Sequence, residues 1–547
     1  MRRRFLVLSL LLAPLAGCDN ATPEFWRPTN DLLPMVALGD RVAFVERNSQ
    51  TAFLLDPADT AFKPRMVRVG KAPVAAVRHN GSNQMLVLTH GETGSASVTA
   101  IPAQLQVIDA NASLATYPLA ARFDSLAQSA DGRFVILYHS SSTQNASDTG
   151  LFNPNEMTIV DFTPPPPATQ GVPKLTTKSI RSMGGVPTRI EFSPSYAFQA
   201  GARALAVVLS QSYVTILDLD NADRTEISVP LCSQGTGCTY SPDQILFDPA
   251  NANIYVRASN AKDIFQIALT DFGAVRTIGG NDFLASLSML SVGANPASMV
   301  LYGSGPSARL AVLAPANKSL VIIDPSTSHT LNIATSIPAN VIVPFTVLEQ
   351  PTTLKYMAML VDTLTGSTSV VIADLQKVET ESGLATTTSP LHAAANDVRP
   401  LVDQGIAVLV LGKYGAISAF TVVEFGAIPK FVEITVDNSF ANPYFEVRNP
   451  SRLWGVDSGT GLGYLNLVAR PKEANLVHNS IWLDQTITSI QALDQLSSDG
   501  IRYLVVGQSD PNQIGNLTFL DADNPDRATA RTAYGFLFSD YLERGQP

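Results

Sequence analysis

Two histidines offer the first opening for chemistry. His90 begins HGETGSASVTAIPA (90–103) and His139 begins HSSSTQNASDTGLFNPNE (139–156), each directly after a short apolar run. Imidazole and carboxylate groups on such loops suit recognition of a partner. The residues that would carry it are His90, Glu92, His139 and Asp148. The same composition also fits solvated loops rich in turn-forming residues.

Sites of other kinds are hard to assemble. The chain has no G-x-S-x-G elbow, no H-E-x-x-H and no close-spaced histidine pair among its six histidines. GTGLG (459–463) reads as a loop, since no strand leads from it into a helix. DLDNAD (218–223) and DADNPD (521–526) lack the sixth-position glycine of a calcium loop and read as strand-end turns. No catalytic residue, metal ligand or cofactor is predicted.

The elements that position these loops are repeats. Apolar, β-branched runs ending in an acidic turn recur at Asp56, Asp109, Asp161, Asp218, Asp324, Asp374 and Asp521. From Asp56 to Asp521 is 465 residues in nine steps, about 52 per step. The three skipped phases hold strands without the aspartate: DIFQIAL (263–269), GAISAFTV (415–422) and GYLNLV (463–468). A second apolar strand precedes many of these runs, as in QMLVLTH (84–90) and RFVILYH (133–139), and SADGRF and SSDGIR supply hairpin turns. No helical period persists beyond the leader.

Four short strands per unit describe the blade of a β-propeller. One blade cannot bury both faces of its sheet, so blades stack in a ring. The fold class expected is therefore all-β, a β-propeller of four-stranded blades. Ten phases exceed the usual four to eight blades per ring, which sets the expectation at seven to ten. The propeller is assigned to 41–525, a tether to 18–40 and a tail to 526–547. Tail strands near 501–521 are expected to pair with the first blade and close the ring. Pro164 to Pro167 read as a stiff spacer or as a ligand for an aromatic groove.

The stretches VRVGKAPVAAVRHNGSNQMLVLTH…LQVIDANASLATYPL (67–119) and MGGVPTRIEFSP…YVTILDLDNADRTEISV (183–229) resemble the YVTN-type, WD-like propeller repeat of bacterial surface and periplasmic proteins. That likeness implies fold and leaves function open. D-x-x-T-G at Asp362–Gly366 and Asp457–Gly461 is similar to the core of the quinoprotein repeat, but lacks its leading alanine and following tryptophan. Both copies read as turns.

The leader supplies an address. Arg2 to Arg4 form a positive region, Phe5 to Leu15 an apolar run too short to span a bilayer, and Leu15-Ala16-Gly17-Cys18 follows. This resembles the lipobox of bacterial lipoproteins. The resemblance implies a signal peptide over 1–17 and a mature N-terminus at Cys18 carrying palmitate-type acyl chains. Export in turn places Cys232 and Cys238 in an oxidising compartment. Five residues separate them, two of them glycines, so a disulfide clamping a local loop is expected. Removing three arginines from 37 basic against 47 acidic residues leaves the mature chain near −13, which argues against nucleic acid. The chain thus reads as a membrane-anchored protein of the bacterial cell envelope, at the outer membrane in preference to the inner, reaching the membrane through its lipid. Its role would be a protein–protein interaction scaffold or assembly factor with envelope protein partners. The alternative is a propeller-type hydrolase or lactonase, or a glycan-sensing binding protein.

Overall fold

The computed structural model describes residues 31–533 except 95–98, 141–152, 164–171, 182–185, 233–238, 274–279, 351–352, 413–417, 437–439, 447–451, 458–459, 467–478 and 510–514. Its strands form ten antiparallel four-stranded sheets and one two-stranded hairpin, Tyr196–Phe198 with Gly201–Arg203. The other regular elements among the described residues are three-residue 3-10 turns. The sheets are blades 1 to 10 of a propeller, over 36–68, 73–118, 125–179, 189–230, 242–291, 298–334, 341–390, 395–436, 440–482 and 486–533. Blade 1 begins and blade 10 ends outside the span 41–525.

The repeat phase read from the sequence coincides with one strand of each blade. All seven marker aspartates stand at the end of a third strand or directly after it, and the three phases without aspartate are the third strands of blades 5, 8 and 9. The aspartate is there to close a turn. Asp109 Oδ1 accepts the main-chain N–H of Asn111 and of Ser113, both at 2.8 Å. Asp161, Asp324 and Asp521 accept from the N–H two residues on at 2.8, 2.9 and 2.8 Å. A side chain thus takes main-chain donors that the sheet leaves unpaired.

The second and third strands are buried on both faces, as stacking requires. In blade 1, Val42, Phe44, Phe53 and Leu55 pack with blade 10, whereas Ala43, Val45, Ala52 and Leu54 pack with blade 2. The same division repeats round the molecule. Ten apolar clusters each straddle one seam between neighbouring blades, from 1/2 through 9/10 to 10/1. Each fully buried large side chain contributes about 1.5–3 kcal/mol. The core is therefore a ring of seams and not one central mass. Fourth strands are outermost and largely exposed, as in Leu114–Pro118 and Lys174–Ser179. First strands lie nearest the axis, where those of successive blades touch.

Within a blade the antiparallel order fixes two faces. The loops joining second to third strands, and the connections from blade to blade, emerge on one side, the loop face. The turns joining first to second and third to fourth strands emerge on the other, the turn face.

The ring closes differently from the expectation. Tyr503–Ser509 and Gly515–Asp521 pair with each other inside blade 10, not with blade 1. Val36–Leu38 already gives blade 1 its own first strand, so no strand needs to be lent. Seam 10/1 is held by packing and polar contacts instead. Phe62 stacks on Phe519 at 5.2 Å. Gly39 O accepts from the N–H of Asp494 and Gln495 at 3.0 Å each. Arg531 donates to the carbonyls of Pro57 and Ala58.

Candidate functional site on the turn face

The two loop-face histidines do come together, at seam 2/3. The connection from blade 2 to blade 3 carries Phe123 and Asp124 between them. His90 Nε2 donates to Phe123 O at 3.1 Å, and the Phe123 ring lies 5.1 Å from the His139 ring. His139 is buried and Phe123 fully so. Burial lowers the His139 pKa; the nearby Asp124 opposes this and His90 adds to it. These imidazoles help build the seam. Glu92 is exposed and 3.9 Å from Lys71. Asp148 lies outside the described residues, as do Cys18, Cys238 and Pro164 to Pro167. Cys232 is half-buried just after the fourth strand of blade 4.

On the turn face, seam 2/3 is also closed. His79 follows the first strand of blade 2, its ring 4.6 Å from Phe162 of blade 3. Its Nε2 donates to Gly132 O at 2.7 Å. Asn80 N and Nδ2 donate to Gln128 Oε1 and Ser129 O at 3.0 and 2.9 Å. The approach is so close that a Cβ on Gly81 would stand 2.8 Å from Asp131 O, which, with its φ of +68°, requires glycine.

One seam further on, the equivalent place is open. A cavity of about 540 Å³ lies between blades 3 and 4, with Ser129, Phe134, Phe192, Ser195, Leu219 and Asp220 in its wall. The main-chain hydrogen bonds that frame it match those of seam 2/3, although the left-handed residue is Gly81, third in its turn, in one and Gly132, fourth in its turn, in the other. His79 and Ser129 donate their N–H to the residues that begin or directly precede the second strand, Gln84 O at 2.8 Å and Phe134 O at 2.9 Å. Phe162 and Leu219, each following a third strand, donate to Arg133 O and Ala204 O at 2.8 and 3.0 Å. The pair His79–Phe162 therefore corresponds to Ser129–Leu219, and the serine leaves space where the imidazole lies.

Blade 4 does not fill that space, because its turn-face hairpin leans the other way. Tyr196 donates to Asn253 O at 2.8 Å and Phe198 stacks on Phe283 at 4.8 Å, both in blade 5. Arg203 and Arg224 hold Asp282 at 3.1 and 2.9 Å, and Arg224 holds Asp218 at 3.2 Å. Burial opposes ionisation of Asp282, but the two guanidiniums keep its carboxyl below the usual range. Such a buried pair is costly to break, which fixes the hairpin over blade 5.

The cavity rim is acidic. Arg133 is already committed, to Asp220 at 2.7 Å and to Thr163 Oγ1 at 2.6 Å. Asp131 accepts from Ser129 Oγ at 2.6 Å, and this bond, against some burial, holds its carboxyl below the ordinary range. An apolar floor with ionised acceptors at its edge suits a neutral or cationic group bearing an N–H or O–H donor.

Charges near the axis are largely paired. Arg257 meets Asp243 at 2.9 Å and Arg399 meets Asp397 at 2.8 Å, while Arg78 pairs with Asp494. Among the described residues no three His, Cys, Asp or Glu side chains gather to hold a metal ion. The D-x-x-T-G core at Asp362 is a turn: its carboxylate accepts the N–H groups of Leu364, Thr365 and Ser367 at 3.0–3.1 Å.

No family model matches the chain, and no curated protein matches it. Among solved structures it is similar to a eukaryotic initiation factor, at 11% identity and TM-score 0.43, over 91% of this chain and 96% of that one. It is also similar to the dihydro-heme d1 dehydrogenase NirN, at 10% identity and TM-score 0.34, over 91% and 74%. A putative 6-phosphogluconolactonase of Bacteroides fragilis gives 11% identity and TM-score 0.34, over 65% and 95%. At these values the likenesses say nothing of function, and the ten blades rest on the sheets themselves.

Proposed function

We propose that the protein is a propeller scaffold of the bacterial envelope, anchored through a lipidated Cys18, which docks partner segments on its turn face. The single observation that carries the docking is the seam 3/4 cavity, open on the face opposite the one on which Asp31 lies. Leu33 N donates to Val45 O and Arg47 N to Asp31 O, so residues 31–33 run along the loop-face end of blade 1. Asp31 lies thirteen residue steps beyond Cys18. At about 3.3–3.6 Å each they reach at most about 45 Å. The disc is about 20 Å thick for six-residue strands. On this reading the tether starts on the loop face, so that face lies nearer the membrane and the cavity faces the compartment.

The lipid would supply the anchoring, since among the described residues no helix is long and apolar enough to cross a membrane. Several acyl chains on one cysteine give stable binding where one chain would not. The local Cys232–Cys238 disulfide belongs to the same reading, since it needs an oxidising compartment. Cys18→Ser is expected to move the protein from the membrane to the soluble fraction, with the acyl mass gone from the N-terminal peptide. Retention on the membrane would count against the anchor. For docking, Ala202→Trp at the cavity wall is expected to abolish partner cross-links formed from the turn face. Intact cross-linking by the folded variant would count against the cavity.

A further inference from the structure

We infer that the seam 3/4 cavity accepts a planar ring, an imidazole, phenol or indole side chain carried on an extended partner segment. The inference rests on the docking role proposed above and specifies its chemistry. Its ground is the correspondence between neighbouring seams. In seam 2/3 the chain supplies its own ring at this place: His79 lies 4.6 Å from Phe162 and donates to a main-chain carbonyl at 2.7 Å. In seam 3/4 the same backbone position carries Ser129, whose hydroxyl turns to Asp131. Leu219 replaces Phe162, and Phe134 and Phe192 add aromatic wall.

The size and charge of the place narrow the occupant. About 540 Å³ exceeds one ring, leaving room for the main chain on either side of it. Asp131 and Asp220 at the rim repel a carboxylate, while Arg133 is held by Asp220 and Thr163 and offers little compensation. A ring N–H or O–H has acceptors to meet there, as the His79 N–H has in seam 2/3. An aliphatic side chain would gain the apolar floor but could add no hydrogen bond to the rim carboxylates, which already accept from Ser129, Arg133 and the Ala204 N–H. The strength expected of one docked side chain is modest, a Kd of about 1 mM.

The test titrates the full-length lipidated protein in nanodiscs with blocked Ala-X-Ala tripeptides by calorimetry, where X is Trp, Tyr, His, Leu or Glu. The ring-bearing peptides are expected to bind, with Leu and Glu at least about tenfold weaker. Ser129→His gives seam 3/4 its own ring and is expected to weaken ring binding at least about tenfold. Leu219→Phe, a smaller change, should weaken it in the same direction. His79→Ser opens seam 2/3 and is expected to add a second site. Equal binding of the Leu peptide, no binding of any peptide, or unchanged affinity in folded Ser129→His and Leu219→Phe would overturn the inference. Partner cross-links at the cavity wall without ring binding would overturn the ring alone and leave the docking role standing; loss of both would remove both.

Discussion

Seams 2/3 and 3/4 begin from the same strand pattern and end in opposite states. Both place a residue after the first strand of one blade against a residue after the third strand of the next. Where these are His79 and Phe162 the seam is shut, and its loop-face side is shut too, by Phe123, His90 and His139. Where they are Ser129 and Leu219 a cavity remains. The difference amounts to an imidazole, a phenyl ring and the lean of one hairpin. Stability and recognition therefore draw on the same positions, and a side chain that fills a seam removes a place for a partner. The open seam is tolerable because the apolar cluster beneath it, with Phe134, Ile136, Ile190, Val208 and Leu217, is intact.

Four changes would break or sharpen that contrast. The largest effect is expected from Phe123→Ala, which removes a fully buried ring from the loop-face side of seam 2/3. A loss of about 3–5 kcal/mol is predicted from denaturant unfolding. A loss below about 1 kcal/mol would mean that the histidines hold the seam without it.

His79→Ser converts the closed turn-face seam into a copy of the open one. Losing a buried hydrogen bond and leaving a void should cost about 2 kcal/mol. Conversion without cost would show that the ring contributes nothing to the seam.

The third change is pH. Burial lowers the His139 pKa, so the folded protein holds that proton less tightly than the unfolded chain. The unfolded chain binds more protons, and stability rises with pH across that range. The contribution is complete above about pH 6.5, the unfolded value, and falls away as pH drops below it. His139→Phe should flatten that part of the melting-temperature profile. An unchanged profile would assign the acid sensitivity to other groups.

The smallest effect belongs to Ser129→His, which should raise stability by about 0.5–1 kcal/mol if the new ring finds the place that His79 occupies one seam earlier. A loss of stability would show that the two seams are less alike than their backbones.

How far the sequence anticipated this molecule depends on the range of the interactions involved. The blade phase was legible because it is local: Asp109 or Asp161 closes its own turn within two to four residues, so the same letters recur wherever that turn recurs. Alternation in AFLL and LQVI was equally local, since the two faces of each strand serve two neighbours. Ring closure was read wrongly, because the short strands Val36–Leu38 and Arg531–Ala533 carry too few residues to stand out, yet they complete blades 1 and 10. His90 and His139 were placed at equivalent positions, as they are, but as presented side chains. That Phe123 returns between them depends on a blade-to-blade connection whose course no motif announces. The cavity was missed because it consists of something small in a place where its neighbour has something large. The one signal was the contrast between His79-Asn80-Gly81 and Ser129-Ala130-Asp131-Gly132 in turns of equal length.

The most direct measurement places a photo-cross-linking residue at Ala202, on the cavity wall, or at Glu92, on the loop face, in the full-length protein on native envelopes. Position 202 is predicted to capture protein, in a cross-link that Ser129→His removes, and position 92 to capture lipid or nothing. Protein captured from 92 and none from 202 would contradict the assignment of docking to the turn face.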